Sequence, residues 1–342
     1  MSAMIAPADE AGIIAAVQAA RASGEPLAIE GQGSKRGMLR PVQAARSLST
    51  RALTGVTLYR PAELIISARA GTPLAEIEAV LAEKGQHLIA EAPYLNGAFG
   101  TSAPPSIGGV VAANLSGPRR IAWGATRDHV MGLRFINGAG EAIRSGGRVL
   151  KNVTGLDLCK LLSGSYGTLG VITEVTLKVL PAPETSATLI IQTPDLVSAV
   201  ATLSTGLGSP FGVSAAAALP ARDHVVAALR LEDFAASVTY RMEKLRVMLD
   251  HFGAQLVLED AESRAFWQGV REVVPLNTSA DEALWRVSVR PSAGPRIAAA
   301  ADAIGGRVLL DWGGGLVWIA AAPGIAHHAA ISAAAAAEGG VA

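Results

Sequence analysis

The sequence predicts an α+β fold in two parts, residues 1–182 and residues 183–342, and three observations carry that prediction. The chain has 342 residues, more than a single hydrophobic core usually serves. Segments with the helical apolar period are interspersed with short apolar runs of strand length. Pro181-Ala-Pro183 then closes the strongest strand run, and the pattern beyond it changes.

Asp9 is placed to cap a first helix that carries Ile13, Ile14 and Val17 and stops at Ser23-Gly24. Residues 26–30 follow as a short buried strand, and Gly31-Gln-Gly-Ser-Lys-Arg-Gly37 as a glycine-rich loop. Strands are expected at 56–59 and 64–70. The next helix takes Thr72 as its cap with Pro73 in its first turn; Leu74, Ile77, Val80 and Leu81 form its apolar face, and Gly85 ends it. Tiny residues over 108–115 make a short helix. Strands follow near 129–137 and 141–144 around a Gly138-Ala-Gly140 turn, and the run 164–170 leads into a strong strand at 171–180. The second part reads as strand 187–192, helix 196–205, strand 225–231, helix 234–252 and strand 255–258, an α+β layer.

Composition excludes several function classes. Lysine plus arginine and aspartate plus glutamate both total 29, so no basic surface for nucleic acid is expected. A single cysteine, Cys159, rules out a disulfide framework and an iron–sulfur cluster held by this chain alone. Mean hydropathy is +0.35, but alanine and glycine supply much of it, and no run reaches the roughly 20 apolar residues of a membrane span. The first residues lack the basic flank and apolar stretch of a signal peptide, so a cytoplasmic protein is expected, touching membrane only through partners.

Four segments carry chemistry. The loop Gly31 to Gly37 follows a strand, yet its glycine spacing is not that of a dinucleotide-binding βαβ unit, Pro41 is a poor continuation of the required helix, and no Gly-Lys-Ser/Thr ends it. Two readings remain: a plain glycine turn, or a loop whose backbone N–H groups from Gln32 to Lys35 point at a phosphate with help from Ser34 and Lys35. In Ser106-Ile-Gly-Gly-Val-Val-Ala-Ala-Asn-Leu-Ser-Gly117, the pair Gly108-Gly109 opens a helix whose N–H groups suit a pyrophosphate, and Ala112, Ala113, Asn114 and Gly117 leave room for something flat; tight helix packing is the alternative. The third segment, Trp123 to Gly132, contains Arg127 and Asp128, which also read as a simple pair at a strand end. In the fourth, main-chain groups near Gly170 and Ile172 are placed to meet a ring edge or, alternatively, to form a hairpin turn.

In order and spacing, these four segments resemble the FAD-binding domain of the vanillyl-alcohol oxidase and p-cresol methylhydroxylase superfamily over about residues 5–182. Gly31-Gln-Gly-Ser-Lys-Arg-Gly37, Asn152-Val-Thr-Gly-Leu-Asp-Leu158 and Asp311-Trp-Gly-Gly-Gly315 are similar to the family of FAD-binding E subunits of bacterial glycolate oxidases, a resemblance covering most of the chain. It implies a two-subdomain p-cresol methylhydroxylase-type FAD-binding domain over 1–182 and a smaller α+β cap-like domain over 183–342. It also implies FAD as cofactor, with Gly31, Gln32, Gly33, Ser34 and Lys35 at the pyrophosphate and Ser106, Gly108, Gly109, Ala112, Asn114 and Gly117 along the phosphates and ribityl chain. Arg127 and Asp128 join the cofactor-binding set, and Gly170 and Ile172 meet the adenine or ring system. The function implied is oxidation of glycolate, a 2-hydroxy acid, to glyoxylate beside a larger flavoprotein subunit and an iron–sulfur subunit. Relatives with covalent flavin attach it through a histidine in or near the first loop; none stands between Gly31 and Pro41, and Cys159 falls in an expected helix, so non-covalent FAD is expected.

One departure limits the resemblance. Members that oxidise 2-hydroxy acids carry a His-x-Gly-Asp-Gly-Asn-x-His string, supplying a base and metal ligands, and this sequence has none. No catalytic base is identified and no metal is expected; His327-His328 lies in a terminal helix, where neighbours diverge. Arg127, Arg286, Arg290 and Arg307 are candidates for a substrate carboxylate. Asp311 and Trp312 either face the flavin or pack at a strand end. Three roles stay open: a redox subunit, an FAD-binding scaffold for which alanine-rich segments such as 213–219 and 325–337 offer docking surface although core burial is the default for such runs, or a free-standing flavin dehydrogenase.

Overall fold

The computed structural model describes residues 3–39, 42–147, 156–279 and 281–342. The chain divides into two compact units, Met1–Ser116 with Gly124–Ala182, and Gly117–Trp123 with Pro183–Ala342.

The first unit holds two sheets. Strands β1 (Ala3–Ile5), β2 (Leu27–Glu30) and β3 (Arg46–Ser49) pair parallel in the order β1-β3-β2, with α1 (Glu10–Ser23) against them. Helix α1 starts where Asp9 Oδ1 accepts the Gly12 N–H at 2.8 Å, ends at the left-handed Gly24, and buries Ile13, Val17 and Ala20 on one face. Strand β2 is half-buried rather than buried. The second sheet is antiparallel and joins β4 (Val56–Arg60), β5 (Ile65–Arg69), β7 (Val130–Ile136), β8 (Ala142–Gly146) and β9 (Val171–Pro181) in the order β4-β5-β9-β7-β8, with β6 (Gln86–Leu88) also on β9.

Besides α1, the described residues of this unit form the helices α2 (Leu74–Ala82), α3 (Ile107–Ala112), α5 (Thr126–His129) and α6 (Leu158–Leu162). Leu74, Ile77 and Leu81 of α2 enter the core with Ile66, Val111, Val175 and Val179, whereas Val80 stays half-buried. Thr72 does not cap α2. Pro73 takes that place, and the buried Thr72 hydroxyl donates to Arg69 O at 2.7 Å and accepts from Gly55 N, tying two turns together.

The second unit begins with α4 (Arg120–Trp123), which lies between first-unit segments in sequence. It continues with β10 (Thr185–Thr193), α7 (Leu196–Leu207), β11 (Ala215–Pro220), β12 (Val225–Asp233), α8 (Ala235–Leu249), β13 (Gln255–Glu259), α9 (Asp260–Arg271), β14 (Ala283–Ser288), α10 (Gly294–Asp302), β15 (Arg307–Asp311), β16 (Leu316–Ala321) and α11 (Ile325–Ala337). Its strands form one antiparallel sheet, β13-β10-β12-β11-β15-β16-β14. Helix α8 gives way at Asp250–Phe252 to a tighter turn instead of running through it.

The alanine string 215–218 takes the default for such runs and is core: it forms β11, and all four side chains are fully buried. Small residues there let α7 close onto the sheet, with Gly206 directly over Leu229. No helix among the described residues is long and apolar enough to cross a membrane.

Candidate functional site

The glycine-rich loop emerges from β2, with the Gly31 carbonyl held by Ser49 Oγ at 2.7 Å. Gln32 Nε2 reaches back to Gly71 O at 2.9 Å, and Lys35 Nζ donates to Tyr94 O, so two long side chains fasten the loop to neighbouring turns. Gly33 has φ of 83°, a conformation that costs a side chain most, and Arg36 is locked bidentate on Glu30. The result is a fixed loop whose Gln32, Gly33 and Ser34 N–H groups donate to no acceptor among the described residues, with Ser34 buried. Successive unbonded N–H groups in a rigid turn form a concavity for an anion.

Helix α3 lies against that loop. A Cβ on Gly31 would stand 2.1 Å from Ser106 Oγ and 3.9 Å from Gly109 N. The glycine is needed because the Ser106 hydroxyl occupies the space. Ser106 precedes α3 without capping it, and its buried Oγ has no hydrogen-bond partner among the described residues, a state that costs about 1–3 kcal/mol unless something fills it. Asn96 Oδ1 and Ser165 Oγ are buried in the same condition. Asn96 follows the turn that receives Lys35, and Ser165 sits in the loop that bonds Val111 O and Ala112 O through Gly164 N and Tyr166 N. An extended ligand with phosphate and hydroxyl groups fits this set of donors and the Asn96 Oδ1 acceptor.

Other predicted residues are placed differently. The Ile107 and Gly108 N–H groups are already bonded to Thr72 O and Ala70 O, so the helix start offers fewer donors than its sequence suggests. Ala112 is half-buried beside the 164–166 loop. Asn114, at φ of 47°, accepts Arg127 N at 3.0 Å through Oδ1, which joins α3 to α5. Arg127 and Asp128 lie 4.0 Å apart on the surface, and Asp128 Oδ2 takes the Ala125 N–H. Gly170 is explained by packing, since a Cβ would meet Ile136 O at 2.7 Å, and the Ile172 side chain is in the core. Gly117 belongs to the second unit, where its carbonyl accepts Trp312 Nε1 at 3.0 Å. Residues 152–155 of the Asn152-to-Leu158 motif lie outside the described residues.

Two of the arginine candidates in the second unit are engaged with carboxylates: Arg290 with Glu338 at 2.8 Å and Arg307 with Glu282 at 2.7 Å. Arg286 lies over Trp312 at 5.1 Å and Trp318 at 5.7 Å, and Arg120, which sequence reasoning missed, over Trp312 at 4.2 Å. Trp312 is buried with φ of 54°, a strain of order 1–3 kcal/mol for a bulky residue. His327 turns to Ala322 O and His328 to Trp285 Nε1. Burial raises the Cys159 thiol above its ordinary pKa. Among the described residues, no group of three or more His, Cys, Asp or Glu side chains is arranged to hold a metal ion.

Known proteins share this chain's sequence and fold. A model of an FAD binding domain matches residues 1–146. Glycolate oxidase subunit GlcE of Escherichia coli K12 is 40% identical over 294 residues, 86% of this chain and 75% of that protein. The chain belongs to the GlcE family of glycolate oxidase subunits. Glycolate oxidase subunit GlcD of Bacillus subtilis 168 is 42% identical over 99 residues, only 29% of this chain and 21% of that one. The fold is shared with a solved alkyldihydroxyacetonephosphate synthase at a TM-score of 0.76 and 17% identity, over 98% of this chain and 71% of that structure.

Tyr94, Asn96 and Ser165 join the candidate site without having been predicted. Their only sequence signal is proximity to glycines and small residues, which distinguishes no turn from another.

Proposed function

We propose that this chain is the FAD-binding subunit of a glycolate oxidase complex, taking part in the flavin-dependent oxidation of glycolate to glyoxylate. Residues 1–182, apart from the Gly117–Trp123 segment that belongs to the second unit, form the FAD-binding domain, and 183–342 a cap-like domain. Bound FAD supplies the hydride acceptor. The chain's own residues hold it: Gly31, Gln32, Gly33, Ser34 and Lys35 grip the pyrophosphate, while Ser106, Gly109, Ala112 and Asn114 line the phosphates and ribityl chain. The carrying observation is the Ser106 hydroxyl, buried directly against Gly31 and without a partner among the described residues, beside three loop N–H groups that those residues leave unbonded.

The FAD is non-covalent. Cys159 is buried, with its Sγ turned to Ser145 O at 3.5 Å, and no histidine stands in the loop. Electrons pass to an iron–sulfur subunit beside a larger flavoprotein subunit, and any membrane contact is made through those partners. Acid precipitation of the purified chain is expected to leave all flavin in the supernatant; flavin pelleting with the protein would refute non-covalent binding. Adding glycolate to the purified complex under anaerobic conditions is expected to bleach this subunit's FAD. A flavin here that stays oxidised while the complex turns over would favour the scaffold role.

A further inference from the structure

We propose that Glu30 and Arg36 are positioning residues for the pyrophosphate of the flavin nucleotide: their ion pair latches the loop between them in the shape that turns its N–H groups toward the anion. The inference deepens the FAD reading given above and rests on it.

The latch starts from a rigid anchor. Glu30 is the last residue of β2, and its carbonyl accepts the Thr50 N–H at 2.9 Å, so its backbone is held by the sheet. Six residues on, Arg36 returns both arms of its fork to the Glu30 carboxylate, Nε to Oε2 at 2.7 Å and Nη2 to Oε1 at 2.6 Å. Exposed ion pairs contribute little unless their geometry is bidentate; this one is bidentate, and its carboxylate is only 12% exposed. The loop it closes is short, which keeps the entropic cost of closure small.

The same guanidinium fixes the middle of the loop. A Cβ on Gly33 would stand 3.2 Å from Arg36 Cζ and Nε, so the guanidinium covers the side on which any other residue carries its side chain. Gly33, at φ of 83°, turns the chain between Gln32 and Ser34, and the N–H groups of these three residues donate to no acceptor among the described residues. Alternation of ordinary and left-handed backbone is what brings successive N–H groups to one side. Arg51 secures the start of the loop. Its Nε donates to Ser49 Oγ at 3.1 Å, that hydroxyl donates to Gly31 O at 2.7 Å, and Arg51 Nη2 lies 4.0 Å from Glu30 Oε1. Two guanidiniums around one carboxylate leave a net positive charge beside the loop, which favours an anion. A loop ordered in advance also spares the ligand the free energy of ordering it.

Flavin titration of the full chain with FAD, and calorimetric titration with ADP, which carries the pyrophosphate without the flavin, test the latch. E30Q and R36Q should each weaken both ligands about tenfold, and E30Q/R36Q no more than either alone, because one latch breaks only once. R36K keeps the charge and loses the fork; it should weaken them about threefold, whereas a guanidinium acting only as a charge would be replaced without loss. Far-UV circular dichroism should be unchanged throughout, and if either glutamine variant does not fold, R36K decides. Additive losses in the double variant would overturn the inference. So would tighter binding by E30Q, which would make Arg36 a phosphate ligand that Glu30 holds back. A parent chain that binds FAD while the folded variants keep its affinity overturns the latch alone; a parent chain that binds neither FAD nor ADP overturns the FAD reading and the latch with it.

Discussion

The loop and α3 region of the first unit and the arginine and tryptophan cluster of the second achieve order by opposite means. Around Gly31 and Ser106 the chemistry on offer is main chain, glycine and hydroxyl, and the residues matter for how little room they take. Around Trp312 and Glu232 it is guanidinium, indole and carboxylate, each immobilised by another large group. Glu232 is the extreme case. It is 9% exposed and contacts Arg119 at 2.7 Å, Arg230 at 3.2 Å and Ser214 Oγ at 2.8 Å. Small residues permit a ligand to approach, whereas buried charges must be neutralised before any ligand arrives.

The largest effect that would sharpen this contrast is Glu232→Gln. Removing one charge leaves two guanidiniums facing a neutral amide, at a cost of roughly 3–5 kcal/mol in urea unfolding, with FAD affinity of the folded chain unchanged. The same cluster is sensitive to pH. Burial pushes the Glu232 carboxyl up, but Arg230, Arg119 and Ser214 outweigh it and hold the pKa at about 2 against an ordinary 4.5. Its stabilisation is therefore fully present above pH 4.5 and lost as pH falls toward 2, and the pH profile of unfolding should lose this component in the glutamine variant.

Gly31→Ala comes next: the added methyl overlaps Ser106 Oγ, and FAD affinity should fall by about 100-fold or more, read by flavin titration. Unchanged affinity would break the contrast, because space would then not be what that loop provides. Ser106→Val should weaken FAD about tenfold while leaving the apoprotein as stable or more so, since it removes a hydroxyl that has no partner. A less stable apoprotein with unaltered FAD binding would mark Ser106 as a packing residue. Asp9→Ala, which touches neither site, should cost only about 1 kcal/mol of stability through the lost cap on α1.

Local physics made much of this legible in the sequence. Asp9 and Gly24 bracket α1 because a cap and a left-handed turn are nearest-neighbour effects. The strand after Gly170 and the helix after Asp195 appear where their patterns place them. Thr72 shows the limit of such inference: it has the residue type of a cap, but its hydroxyl went to Arg69 O and Gly55 N, partners set by the tertiary turn. The alanines at 215–218 have a composition suited to either surface or core, and the sheet order buried them.

By itself the sequence determined that a glycine-rich loop follows the strand at 26–30, that small residues open α3, and that no His-x-Gly-Asp-Gly-Asn-x-His string is present. These are statements about residue type and short spacing. Only the tertiary structure decided that the Ser106 hydroxyl lies against Gly31, that Gly117–Trp123 packs with the second unit, and that Arg286 and Arg120 share one indole while Arg290 and Arg307 are held by glutamates. Residues 31 and 106, or 120, 286 and 312, are far apart along the chain. Their meeting depends on sheet order and core packing, to which no single segment holds the information.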